Sequence, residues 1–162
     1  SSGSLGQGLS FGVGVALSGK IDRKDYYTFV MLGDGESQEG QVWEAAMSAR
    51  KFKLDHLIGI TDRNRLQIDG GTESIMPIDP IADKWRAFGW NVIEIDGHNF
   101  SEITGAIEKA KENSESPTMI IAHTVKGKGV SFMENVVDFH GKAPTAQEWE
   151  KAKVELGGDY NE

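Results

Sequence analysis

The sequence predicts an α/β fold, a parallel sheet covered by helices on both faces. Three observations carry this expectation: short apolar runs rich in β-branched residues, helical periodicity between them, and Gly-, Asp- and Asn-bearing turns directly after the runs. Strands that are nearly all apolar need cover on both sides, and a βαβ series supplies it through right-handed crossovers. Ligands in such sheets bind at the carboxyl ends of the strands, where the polar turns lie.

The elements follow in order. Leu5 to Leu17 is a small, Gly-rich apolar stretch, and Tyr27 to Leu32 is a β-branched and aromatic run that ends in a turn at Gly33. Val42, Ala45, Ala46 and Ala49 recur at helical spacing within Gln41 to Phe52. The unit then repeats: His56 to Thr61 reads as a strand, Ile81 to Phe88 as a helix, Asn91 to Ile95 as a strand, Ser101 to Lys111 as a helix and Thr118 to Ala122 as a strand. After Gly127-Lys128-Gly129 the chain turns polar and irregular until Thr145, which with Glu148 forms a capping box for a closing helix. The tail from Gly157 to Glu162 is expected to fray.

Composition limits the function classes. A chain of 162 residues with 38% hydrophobic and 26% charged residues fits one globular domain, expected over 1–162. A net charge of −8 argues against nucleic acid or anionic membrane as the main partner, and Lys126 and Lys128 are too few for a basic stripe. With no cysteine there is no disulfide framework, thiolate zinc site or cysteine nucleophile. No apolar run approaches the ~20 residues of a membrane span, and the first residues lack a secretory pattern, so the expected address is cytoplasmic. There is no internal repeat, Walker loop or dinucleotide fingerprint.

The chemistry concentrates in Gly33-Asp34-Gly35 and, thirty positions after the aspartate, Asn64 within Asp62-Arg63-Asn64. Both follow predicted strands, whose ends are neighbours in a parallel sheet. Mg²⁺ is held by one or two protein oxygens plus phosphate and water, so Asp34, Asn64 and a loop carbonyl, most naturally that of Leu66, form a sensible protein half of a metal site. The tight glycine turn lets backbone N–H groups approach phosphate. By itself Gly-Asp-Gly is more often an ordinary turn. A lone loop histidine such as His140 is usually surface, and Glu39 and Glu44, five residues apart, are equally well solvated acids. The glycines at 12 and 14 equally well serve close helix packing.

Five motifs taken together resemble the transketolase family: Ser2-Gly3-Ser4-Leu5-Gly6-Gln7-Gly8-Leu9; Gly33-Asp34-Gly35-Glu36 with Glu39-Gly40 and Trp43-Glu44-Ala45-Ala46; Asp62-Arg63-Asn64 with Leu66-Gln67-Ile68-Asp69-Gly70; Lys126-Gly127-Lys128-Gly129; and His140-Gly141-Lys142-Ala143-Pro144. They occur in the family's order from Ser2 to about Pro144, and the wording is most similar to the amino-terminal subunit of split transketolases. Where the wider thiamine pattern often ends in two adjacent asparagines, Arg63 here precedes Asn64, an ending transketolases share.

The resemblance implies thiamine diphosphate and Mg²⁺ as cofactors, and transfer of a two-carbon ketol unit from a ketose to an aldose. It implies Asp34, Asn64 and the Leu66 carbonyl as metal ligands, with Gly33, Gly35 and Glu36 where backbone meets diphosphate. Gly3 and Leu5 match the loop at the aminopyrimidine ring, Ile68 packs on the cofactor or in the core, and Lys126 offsets phosphate charge. His140 faces cofactor and substrate as proton carrier or hydrogen-bond donor, and His123 could also face the cleft. His56 and His98 are expected to be structural or exposed. Glu39 and Glu44 match glutamates of an acid network at a subunit contact. The implied partner is a second chain with the pyrimidine-binding domain and its glutamate, within an oligomer. The resemblance also implies that roughly one hundred residues precede this segment in relatives, and that the domain is of the diphosphate-binding type. Related ketol transferases or synthases acting on other sugars, and a non-catalytic assembly module, are the alternatives.

Overall fold

The structure is a computed structural model that describes residues 3–157. Ser1, Ser2 and the tail expected to fray beyond Gly157 lie outside the described residues. In chain order the elements are α1 (Gln7–Ile21), β1 (Thr28–Gly33), α2 (Gly40–Lys51), β2 (Leu57–Arg63), β3 (Leu66–Gln67), β4 (Gly70–Gly71), α3 (Thr72–Ile75), α4 (Ile81–Ala87), β5 (Asn91–Asp96), α5 (Phe100–Glu112), β6 (Thr118–His123) and α6 (Ala146–Glu155). Single 3₁₀ turns occupy Glu36–Gln38 and Val137–His140.

The sheet is parallel, in the order β1-β2-β6-β5. Its register places Gly33 beside Asp62, and His123 beside both Arg63 and Asp96, so the strands end level. That shared edge gathers the polar turns that the sequence spreads over ninety positions. A two-rung antiparallel hairpin, β3–β4, sits just beyond it. No sequence periodicity announced this hairpin because four residues are too few to carry one.

One sheet face packs on α1, α2 and α4. Leu9, Val13 and Ala16 meet Val30, Leu32 and Leu57, while Val42, Ala46 and Ala49 extend the same cluster toward Trp85 and Met119. The rings of Trp43 and Trp85 lie 4.9 Å apart, and those of Trp85 and Trp90 5.0 Å. The other face carries α5, whose Ala106 and Ala110 cover Ile58, Ile95, Ile120 and Ala122. Helices on both faces of a parallel sheet agree with the expectation from the strands.

Helix boundaries shift by a residue or two. Asn99 caps α5, its side chain accepting from the N–H groups of Ser101 and Glu102, and this starts the helix at Phe100. The Thr145–Glu148 capping box of α6 is complete. The Gly-rich opening stretch forms a fifteen-residue helix, although each glycine costs about 1 kcal/mol in a helix interior. Packing outweighs that cost at Gly12, where an added Cβ would stand 2.4 Å from a Val30 methyl. At Gly14 nothing lies within 4 Å. The two positions that the sequence could not separate therefore differ: Gly12 is a contact glycine and Gly14 faces open space.

Gly12→Ala is expected to lower the unfolding free energy by about 1–3 kcal/mol through overpacking against Val30. Gly14→Ala is expected to raise it by about 0.5–1 kcal/mol. Urea denaturation of the two variants checks both signs. At the other end of the chain, Glu155 on α6 accepts from Ser131 Oγ at 2.7 Å and Ser131 N–H at 2.5 Å. These bonds hold its carboxyl below the ordinary glutamate range, the side-chain bond contributing most. A depressed folded pKa means the tether is complete above the unfolded value and is lost as pH falls through the folded one. Protection of the α6 amides, taken relative to the intrinsic exchange rate at each pH, is therefore expected to fall on acidification below the ordinary glutamate range, and Glu155→Gln to show that lower protection already at neutral pH.

Candidate diphosphate and metal site

β1 delivers Gly33 to the sheet edge, and the chain turns at once into the 3₁₀ segment. Ser37 secures this turn, its N–H donating to the Asp34 carbonyl at 3.1 Å and its hydroxyl to the Gly33 carbonyl at 2.9 Å. The turn leaves Asp34 2% exposed, with its side chain fully buried. One of its oxygens accepts from Arg63 Nη1 at 3.1 Å, and the other from the Arg65 N–H in a short contact. Burial pushes the Asp34 carboxyl up from its usual range, and the Arg63 guanidinium and Arg65 N–H offset only part of that.

Asn64 follows β2 and is half-buried. Its side-chain oxygen accepts from the Leu66 N–H at 2.9 Å, a local turn that holds the amide in place while Arg65 takes a left-handed φ of 67°. Leu66 opens β3. Beside the Arg65 N–H bond to Asp34, Gln67 is a further point of contact between the two turns, since a Cβ on Gly35 would stand 3.0 Å from that of Gln67. Asp34 and Asn64 thus sit on adjoining turns.

These oxygens suit a hard divalent cation. An ionised carboxylate offers about four lone-pair positions and an amide oxygen two. The protein bonds at Asp34 occupy two and the bond at Asn64 one. Among the described residues no group of three or more His, Cys, Asp or Glu side chains could hold a metal. A cation here would be held by one carboxylate with neutral oxygens, which is the donor set of a Mg²⁺ shared with phosphate.

Glu36 has a more specific place than its motif suggests. Its side chain turns inward, one oxygen accepting from the Gly6 N–H at 3.0 Å and the other from the Gly33 N–H at 3.1 Å. The carboxylate ties the Gly3–Leu5 loop to the Gly33 turn. Gly6 takes φ 81°, and a Cβ there would meet the Glu39 side chain at 2.9 Å. Gly3 has no neighbour within 4 Å of such a Cβ, so packing inside this chain gives no reason for a glycine. Leu5 is 49% and Ile68 66% exposed, which removes the core alternative for Ile68.

The remaining candidates divide. The loop after β6 is closed by Asn135 N–H donating to the Lys126 carbonyl at 2.9 Å, and Gly127 at φ 72° approaches the Met133 backbone too closely for any Cβ. Lys128 pairs with Glu134 at 3.5 Å. His140 ends the second 3₁₀ turn, which lies against β3, and its side chain is exposed. Glu39, the N-cap residue of α2, and Glu44 on its surface are exposed, and among the described residues neither carboxylate takes a hydrogen bond or ion pair. His123 turns to Glu94 at 3.2 Å, itself paired with Arg86, and so is engaged on the side of the sheet away from β1. His98 Nε2 accepts from the Val125 N–H at 2.8 Å and anchors the start of the lysine loop. His56 stacks on Tyr27 with centroids 4.4 Å apart.

The motifs do not single out the residues around Arg63. Its side chain is 1% exposed and also meets Thr72 Oγ1 at 3.0 Å, Glu73 at 3.2 Å and Asp79 at 2.8 Å. Burial works against the charged form of Asp79, yet the Arg63 guanidinium holds that carboxyl below its usual range. The available signal was an arginine at the carboxyl end of a strand that opens with Leu57, Ile58, Gly59 and Ile60, where a lone buried charge would be costly.

Comparison with known proteins identifies the family. Residues 1–162 match the family described as transketolase, thiamine diphosphate binding domain. A 6-deoxy-6-sulfo-D-fructose transketolase subunit of Clostridium sp. (strain MSTE9) is 51% identical over 95% of this chain and 56% of its own length. An apulose-4-phosphate transketolase subunit of Phocaeicola vulgatus is 46% identical over 95% of this chain and 55% of its own. The chain thus spans a little over half the length of these relatives. The transketolase of Campylobacter jejuni superposes with a TM-score of 0.92 at 33% identity, covering 98% of this chain and 26% of that enzyme. A profile match along the whole sequence, close relatives and a shared structure lead to one conclusion: the chain belongs to the transketolase family, as its thiamine diphosphate binding domain.

Proposed function

We propose that this chain is the cofactor-anchoring part of a transketolase, which moves a two-carbon ketol unit from a ketose to an aldose, commonly as phosphates, with thiamine diphosphate and Mg²⁺. The observation that carries this reading is the buried Asp34 carboxylate, held at the sheet edge beside Asn64 with lone pairs to spare. When bound, thiamine diphosphate supplies the carbon nucleophile and the electron sink. The chain's part is placement and proton handling. Asp34, Asn64 and the Leu66 carbonyl offer the metal oxygens, and the Gly33–Gly35 turn brings backbone toward phosphate. Gly3, Leu5 and Ile68 present an open glycine and exposed apolar side chains to a flat ligand. Lys126 contributes positive charge near phosphate. His140, exposed and borne against β3, passes or holds a proton at a substrate oxygen.

The reading requires a second chain. Glu39 and Glu44, exposed and without a carboxylate partner among the described residues, belong at that contact. The word "subunit" in the names of both relatives supports a divided enzyme. We place the pyrimidine-binding domain on the partner and the assembly in the cytoplasm, in keeping with the lack, among the described residues, of any helix long and apolar enough to cross a membrane. One relative is named for a sulfonated fructose and the other for apulose-4-phosphate, so the donor panel extends to sulfonated and branched ketoses.

Calorimetry of the chain with its complementary chain, thiamine diphosphate and Mg²⁺ is expected to show binding. Asp34→Asn should weaken it by more than about 100-fold, since a direct ligand outweighs the 10–100-fold of outer-shell residues. His140→Ala is expected to lower kcat for ketol transfer by about 10²–10⁴-fold and to leave cofactor affinity nearly unchanged. No binding with the partner present would favour an assembly module instead. Ketol transfer by this chain without a partner would contradict the two-chain reading.

A further inference from the structure

One buried guanidinium serves four groups. Arg63 Nη1 reaches Asp34 Oδ1 at 3.1 Å and Thr72 Oγ1 at 3.0 Å, while Nη2 reaches Glu73 Oε1 at 3.2 Å and Asp79 Oδ2 at 2.8 Å. Three carboxylates therefore share one cation. Only Asp34 is buried with it, since the side chains of Glu73 and Asp79 are 41% and 40% exposed. The segment bearing the outer two is also folded around Glu73, whose Oε1 accepts from the N–H groups of Ile78 at 3.3 Å and Asp79 at 3.4 Å.

We propose that Arg63 is a positioning residue for the metal site, a bridge through which Glu73 and Asp79 tune how strongly Asp34 is offered to a divalent cation. The inference rests on Asp34 being a metal ligand. A guanidinium that faces Asp34 alone competes with the metal for the same carboxylate. Here its second nitrogen is drawn to Glu73 and Asp79, which divides its pull and leaves Asp34 aimed but not captured. Neutralising either outer acid commits the guanidinium more fully to Asp34 and removes a nearby negative charge. Both effects weaken cation binding, although neither outer acid belongs to the proposed ligand set.

The test measures Mn²⁺ affinity of the full chain by electron paramagnetic resonance in the presence of thiamine diphosphate, with far-UV circular dichroism as a check on folding. Asp79→Asn and Glu73→Gln alter half-exposed side chains that the fold should tolerate, and each is expected to weaken Mn²⁺ binding about tenfold. In an Arg63→Lys background the same changes should have little effect, because one ammonium cannot span the four partners. Affinities of Asp79→Asn and Glu73→Gln within about twofold of the parent would overturn the proposal, as would a full-sized effect persisting in the Arg63→Lys background. If the parent chain binds no Mn²⁺ even when its complementary chain is added, Asp34 as a ligand fails, and the bridge with it.

Discussion

Arg63 and Asp34 set the constraint on which the sheet edge depends. Both side chains are almost wholly withdrawn from water, where an unpaired charge costs several kcal/mol and breaking the pair costs about 3–5 kcal/mol. Such a pair persists only if the guanidinium's other donors are met and the carboxylate is held in place. Thr72, Glu73 and Asp79 take the donors and Arg65 N–H holds the carboxylate, and in doing so they fix the end of β1, the end of β2 and the α3 segment relative to one another. A hydrophobic pair would fill the same volume but could not aim a carboxylate.

That polar edge is affordable because the layer beneath it is apolar and closely packed. The α1 helix lies so near β1 that Gly12 has no room for a side chain, and the tryptophans at 43, 85 and 90 fill the space under α2 and α4. The level strand ends follow from this packing and from the parallel register. Loops raised on such a base keep their positions with few bonds of their own, which is why one hydrogen bond at Asn64 and two at Ser37 suffice to shape two turns.

The sheet, the helices α2, α4, α5 and α6 and the closing capping box were legible in the sequence, because apolar periodicity and capping residues act locally. Asp34 and Asn64 were legible for a different reason: strand-end turns of a parallel sheet converge, so position along the chain stood in for proximity. Glu36 and Arg63 were not legible in their actual roles. Nothing in residues 33–36 reveals that the glutamate bends back to Gly6, thirty positions earlier, and nothing near Arg63 pairs it with Asp79 sixteen positions later. Those contacts exist only after the sheet has formed. The exposure of Ile68 and the different environments of Gly12 and Gly14 likewise depend on which neighbours the fold brings near, and periodicity in a Gly-rich stretch does not encode that.

The inward turn of Glu36 gives the site a built-in ruler. Its two oxygens grip Gly6 and Gly33, so one rigid carboxylate sets the spacing between the glycine loop ahead of α1 and the turn after β1. The separation of the two loops is thereby fixed to the span of one carboxylate. A residue one methylene shorter at position 36 could not reach both amides together, so the two loops would lose their common anchor at once.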